Sequence, residues 1–259
     1  MSKTLYLECY SGISGDMTVA ALLDLGADRE VLKESLESLP VGGFRTEITR
    51  VKKSGLDACD FSVILEQDNH DHDMEYLHGH HHEGQERNHV HGTGTAQDHH
   101  HHEHCGIKEI TYIIDHSAMT ENAEKIALRI FEILAEAESK AHNVPVDQVH
   151  FHEVGAVDSI VDIVSVAVCL DDLDVTEVIV PVLCEGRGTV RCQHGILPIP
   201  VPAVANIVSA NHLHLKMTEV EGELVTPTGA AIVAAVKTKD KLPETFEIQK
   251  IGIGAGKRQ

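Results

Sequence analysis

The chain of 259 residues has no tryptophan, only 3% aromatic residues, and 21 basic side chains against 41 acidic ones. Scarce aromatics remove the stacking platforms on which single-stranded nucleic acids are held. A formal charge of -20 removes the positive field that nucleic acid and anionic membranes require. No apolar run approaches the roughly 20 residues that cross a bilayer. The first ten residues lack a basic segment followed by an apolar one, so no secretory signal is expected. The cysteines (Cys9, Cys59, Cys105, Cys169, Cys184, Cys192) contain no C-x-x-C pair, which argues against a zinc ribbon and a disulfide framework. A protein of the reducing cytoplasm is expected, with neither nucleic acid nor membrane as partner. An acidic surface does, however, attract divalent cations.

What is present begins with a stretch of concentrated chemistry. His150, His152 and Glu153 fall within four residues, and Asp158 and Asp162 follow in an otherwise apolar run to Leu170. If that run is a helix, the aspartates lie one turn apart, about 5–6 Å at Cβ, and Ser165 extends their stripe. If it is a strand, they share a face about 13 Å apart. Like charges at this spacing are unfavourable in water and more so against apolar neighbours. The pair therefore calls for a cation, a proton or a donor network, unless both residues cap or salt-bridge something structural.

Elsewhere the pattern alternates between strand and helix. Thr4–Cys9 reads as a strand leading through Ser11-Gly12-Ile13-Ser14-Gly15-Asp16 into a helix. This turn could present backbone amides to an anion, or it could be a tight turn with Ser14 or Asp16 as N-cap. Helices are expected over 29–39 and 120–142, and from Pro202; strands over 44–51 and 60–66 flank a Ser54-Gly55 turn, and another strand covers 177–183. The Gln193–Pro202 stretch, with three prolines, reads as an irregular connector. Thr226-Pro227-Thr228-Gly229 opens a further helix, with Thr226 or Thr228 as its cap. The fold class expected is mixed α/β, in a layered core made of residues 1–66 and 107–259 that could divide near residue 145. Homo-oligomerisation stays open.

Residues 67–106 are a different material. Of the 20 histidines, 13 lie there: His70, His72, His78, His80, His81, His82, His89, His91, His99, His100, His101, His102 and His104. Acidic residues are interspersed and aliphatic ones are nearly missing, so the segment is expected to be a disordered insertion. It could be only a solvated linker. Neutral imidazoles, however, are favoured ligands for nickel, zinc, copper and cobalt, and many of them on a loose chain give several labile metal sites.

Four stretches carry a resemblance: 10–17, 150–162, 194–202 and 222–230. In that order, and over the whole length, they resemble the nickel insertion protein family (LarC) of nickel-pincer cofactor biosynthesis. The resemblance implies delivery of Ni2+ into pyridinium bisthiocarboxylic acid mononucleotide, with formation of a nickel–carbon bond and nickel–sulfur bonds. The product would serve lactate racemase and similar enzymes. It also implies a CTP-dependent reaction with Mn2+ or Mg2+ on the nucleotide, and a C-terminal half beyond Gly256 as the partner that binds CTP.

On this view the histidine tract passes nickel to His150, His152, Glu153, Asp158 and Asp162. Asp16, His152, Glu153 and Asp158 carry the chemistry, and His152 or Glu153 takes the ring proton. Ser11, Gly12, Ser14 and Gly15, together with Thr226, Thr228 and Gly229, seat the substrate phosphate; Asp16 could instead hold a second cation. Two other classes fit the same residues: a non-catalytic nickel storage module, and a metal-dependent phosphoester hydrolase.

Overall fold

A computed structural model describes residues 3–65, 106–149, 157–192 and 195–257. The histidine tract up to residue 105 and residues 150–156 lie outside them. In chain order the elements are β1 (Lys3–Tyr6), α1 (Gly15–Leu25), α2 (Arg29–Glu37), β2 (Phe44–Lys53), β3 (Leu56–Leu65), α3 (Ile107–Asp115) and α4 (Glu121–His142). They continue with α5 (Val157–Asp172), β4 (Val175–Ile179), β5 (Leu183–Arg187), β6 (Thr189–Cys192), β7 (Gly195–Pro198), α6 (Pro202–Ala210), β8 (Leu215–Glu221) and α7 (Pro227–Val236). The mixed α/β expectation holds.

Two short parallel pairs make the platform. β1 lies beside β4, and β5 beside β8. The chain leaving β1 joins them, bridging Cys9 to Leu183 and then Ile13 to Val225, both parallel. The single strand expected over 177–183 is two, β4 and β5. Pro181 sits in the gap between them, where a residue without an N–H cannot continue a ladder.

β2 and β3 form an antiparallel hairpin in full register from Phe44 with Leu65 to Lys53 with Leu56. Ser54 and Gly55 both have positive φ, 50° and 84°, as a tight turn matched to strand twist requires. The proline-rich connector is more regular than expected: β6 and β7 pair as a small hairpin, Thr189 opposite Pro198. Pro202 opens α6, as expected.

Helices close the core. α4 carries Ala127, Ile130, Phe131 and Leu134 on one buried face and packs on α5, α6 and α7. α5 settles the helix-or-strand choice: it is helical, and from Ile160 to Leu170 every residue but Asp162 is buried. A helix apolar all round belongs in a core, and here it also packs on α1 and α2. No helix among the described residues is long and apolar enough to cross a membrane.

The cap of α4 ties that helix to α5. Thr120 Oγ1 accepts the Ala123 N–H at 3.1 Å and donates to Asp171 Oδ2 at 2.6 Å. Thr120→Ala is expected to cost about 1–2 kcal/mol, seen as a lower urea midpoint at unchanged slope.

The glycine-rich segment 252–256 lies beside β3 and bridges it in parallel at one point, Gly254 with Cys59. Cys59 donates its N–H to Ile253 O (2.9 Å) and accepts one from Ala255 N (2.8 Å). On its other side this segment lies on α1, so that it is held between hairpin and helix.

Candidate functional site

The turn after β1 and the start of α5 meet at Gly15. A Cβ built there would lie 2.6 Å from Asp162 Oδ2 and 2.9 Å from Asp162 Cβ. Only a residue without a side chain lets α1 approach so closely. Asp162 uses that closeness to accept the backbone N–H of Asp16, an amide with no partner inside its own helix. The α1 end is thus capped twice. Ser14 Oγ and Asp16 Oδ1 both accept the Met17 N–H, at 3.5 and 2.8 Å, and Ser14 Oγ hydrogen-bonds Asp16 Oδ1. Ser14 is therefore the N-cap, one of the two readings of the sequence.

Asp162 is the electrostatic centre of this arrangement. Its Oδ1 is buried without a hydrogen-bond partner, while the residue as a whole keeps a partly open edge. Burial first, then the charges of Asp16 and Asp158, push its carboxyl well above the usual carboxylate range; Lys257 and the Asp16 amide pull the other way. Ser165 Oγ, next along the same stripe, is likewise buried without a hydrogen-bond partner. Among the described residues no three His, Cys, Asp or Glu side chains form a ready metal cage. His150, His152 and Glu153, expected here from the sequence, lie outside the described residues, immediately upstream of Asp158 in the chain.

The second expected turn comes to the same place. Thr226 donates its N–H to Ile13 O at 3.0 Å, and Ile13 donates to Leu224 O at 2.9 Å. Gly229 in the first turn of α7 lies against Ile13, where a Cβ would stand 2.3 Å from its carbonyl oxygen. Gly12, at φ +86°, has Leu224 O where its Cβ would be, so a side chain is excluded by both conformation and space. Thr226 caps α7, its Oγ1 accepting the Gly229 N–H at 3.1 Å. Thr228 is half-buried in that first turn, and Ser11 is exposed beside Gly12.

Two residues of the site were not singled out from the sequence. Lys257 sets its ammonium on Asp60 Oδ1 (2.6 Å), Ser62 Oγ (2.7 Å) and Phe61 O (3.0 Å), with its charge bearing on Asp162. Glu185 is fully buried on β5. Nothing in periodicity marks Lys257; the only signal for Glu185 is a lone acid following the apolar pair Leu183-Cys184.

The family model described as nickel insertion protein matches residues 5–259. A protein of Alkaliphilus metalliredigens is 56% identical over 99% of the chain and 57% of its own length. Proteins of Acetivibrio thermocellus (38%, with 57% of its length covered) and Clostridium acetobutylicum (42%, with 61%) are also similar. All three are named pyridinium-3,5-bisthiocarboxylic acid mononucleotide nickel insertion protein. The chain thus spans about 57–61% of the length of these relatives. No solved structure gives a significant match. On the match from residue 5 to residue 259, the chain belongs to the nickel insertion protein family.

Proposed function

We propose that this chain takes part in inserting nickel into pyridinium-3,5-bisthiocarboxylic acid mononucleotide, the compound in its relatives' names. The observation that carries this reading is Asp162, one helical turn from Asp158, against the N-terminus of α1, with the N-terminus of α7 joined to the same turn through Ile13. Carboxylates suit the cation, and helix amides suit the substrate phosphate. The two termini are not equivalent. The amides of Asp16 and Met17 in α1 are already taken by side chains. α7 begins at Pro227, which has no N–H, so Thr228 offers its first amide. The Thr226 and Gly229 amides are taken too, by Ile13 O and Thr226 Oγ1, so the phosphate sits on the Thr228 amide and the Thr226 and Thr228 hydroxyls, with Gly229, Ser11 and Gly12 alongside, and Asp16 joins the cation side.

In this mechanism nickel is cargo. The histidine tract collects it and passes it to His150, His152, Glu153, Asp158 and Asp162. Nitrogen and oxygen donors hold it less firmly than the substrate's thiocarboxylates, which makes the transfer downhill. Two nickel–sulfur contacts form, the ring C–H gives its proton to His152 or Glu153, and carbon takes nickel in its place with no change of oxidation state. CTP with Mn2+ or Mg2+ is supplied through a C-terminal half of the kind that the longer relatives have room for. The product then activates lactate racemase-type enzymes in the cytoplasm.

Calorimetric titration of nickel into the chain lacking residues 67–106 tests the core site. One retained site is expected, weakened at least about tenfold by Asp158→Asn, as lost metal-site partners cost 10–100-fold. No residual binding would instead make the chain a nickel store built on the tract. Phosphate release from phosphoesters would favour the hydrolase.

A further inference from the structure

Glu185 has no part in the chemistry above, yet it lies beneath both turns. Its residue is 0% exposed. One oxygen, Oε1, accepts three backbone amides: Gly186 N at 2.7 Å, Leu224 N at 2.7 Å and Val225 N at 3.2 Å. The other, Oε2, is buried without a hydrogen-bond partner. Burying a carboxylate is costly, and amide donors offset part of that cost. Stability alone is a poor reason to place it there, because an apolar residue of similar size would fill the site without that cost.

What the three amides accomplish is positional. Leu224 and Val225 are held to β5. Leu224 O in turn receives the Ile13 N–H, and Ile13 O receives that of Thr226. Glu185 is thus linked through Leu224 to Ile13 in the turn that starts α1, and through Ile13 to the cap of α7.

We infer that Glu185 is a positioning residue that fixes the spacing between the Ser11–Gly15 turn and the Thr226–Gly229 turn, and so sets affinity for the substrate's phosphate end. This rests on the substrate reading given above.

The test is binding of pyridinium-3,5-bisthiocarboxylic acid mononucleotide to the full chain, with nickel titration and amide exchange in parallel. Glu185→Ala should weaken the mononucleotide at least about tenfold and speed exchange in 222–229 and 11–15, while nickel affinity stays within about twofold and exchange in α4 is unchanged. Glu185→Gln keeps an acceptor oxygen for Leu224 and Val225, and should bind within about threefold of the parent. If the alanine variant does not fold, Glu185→Asp serves, since its shorter arm cannot hold all three amides; it should lose affinity severalfold with nickel binding kept. Equal mononucleotide affinity in a folded alanine or aspartate variant, or parallel loss of nickel and mononucleotide, would overturn the inference. A parent chain that binds no mononucleotide would overturn the substrate reading instead.

Discussion

Asp162→Asn is expected to make the metal-free protein more stable at neutral pH and to abolish most of its nickel transfer. The stability gain follows from the sign of linkage. A carboxyl whose folded pKa is raised holds its proton in the native state after the unfolded chain, titrating near 3.8, has released it. Its stabilising contribution is fully present below that value and is lost as pH climbs to the raised one. At pH 7 the native state carries a cost the unfolded chain does not, that of holding a proton on a buried carboxyl or of bearing its charge beside Asp16 and Asp158. Asparagine removes the charge and keeps an oxygen to accept the Asp16 N–H. A gain of about 1–3 kcal/mol is expected at pH 7, the range for a poorly satisfied buried polar group. Thermal unfolding followed from pH 3 to pH 8 checks this: the two proteins should converge below pH 4 and diverge above it. On the proposed function, in which Asp162 is a nickel ligand, nickel transfer to the mononucleotide should fall by more than about a hundredfold, because loss of a ligand outweighs the 10–100-fold cost of losing its supports. Such opposed effects are the pattern of a site kept strained for function. An Asp162→Asn protein with unchanged transfer would remove the residue from the nickel path.

Gly254→Leu is expected to be the most damaging single change away from that site. A Cβ at 254 would stand 2.0 Å from Met17 O and 2.8 Å from Ala21 N. Both contacts are backbone atoms of α1, so no side-chain rotation relieves them. On the opposite side the segment is fixed to β3 through Cys59. α1 and β3 would have to part, and a loss on the order of 3 kcal/mol or more is expected. Circular dichroism and urea unfolding of the purified variant would measure it. A loss under about 1 kcal/mol would mean that the segment simply detaches.

The elements read correctly from the sequence are those whose local signals agree. α4 has a threonine cap, helical spacing of its apolar residues and an Asn143 stop in the left-handed region. The β2–β3 hairpin has its turn residues where the ladder needs them. The spacing of Asp158 and Asp162 resolved into a helix face, and the two expected turns, separated by over 200 residues in the chain, came together through Ile13. That meeting depends on parallel pairing, which leaves no local mark. β8 and α3 escaped for related reasons. β8 alternates weakly, with Lys216, Met217 and Glu219 all exposed, and it exists because β5 offers it an edge. α3 follows directly on the histidine tract, and its nine residues are too few for periodicity to stand out. Glu185 was hidden because a buried acid has the same letter as an exposed one.

The glycine-rich segment on α1 also has a consequence in time. β1 pairs with a strand about 170 residues later, and residues 252–256 are laid on α1. During synthesis at roughly 5–20 residues per second, the histidine tract would leave the ribosome many seconds before the last glycine. On the proposed function, the nascent chain can for that interval gather metal ions but has no finished place to put them.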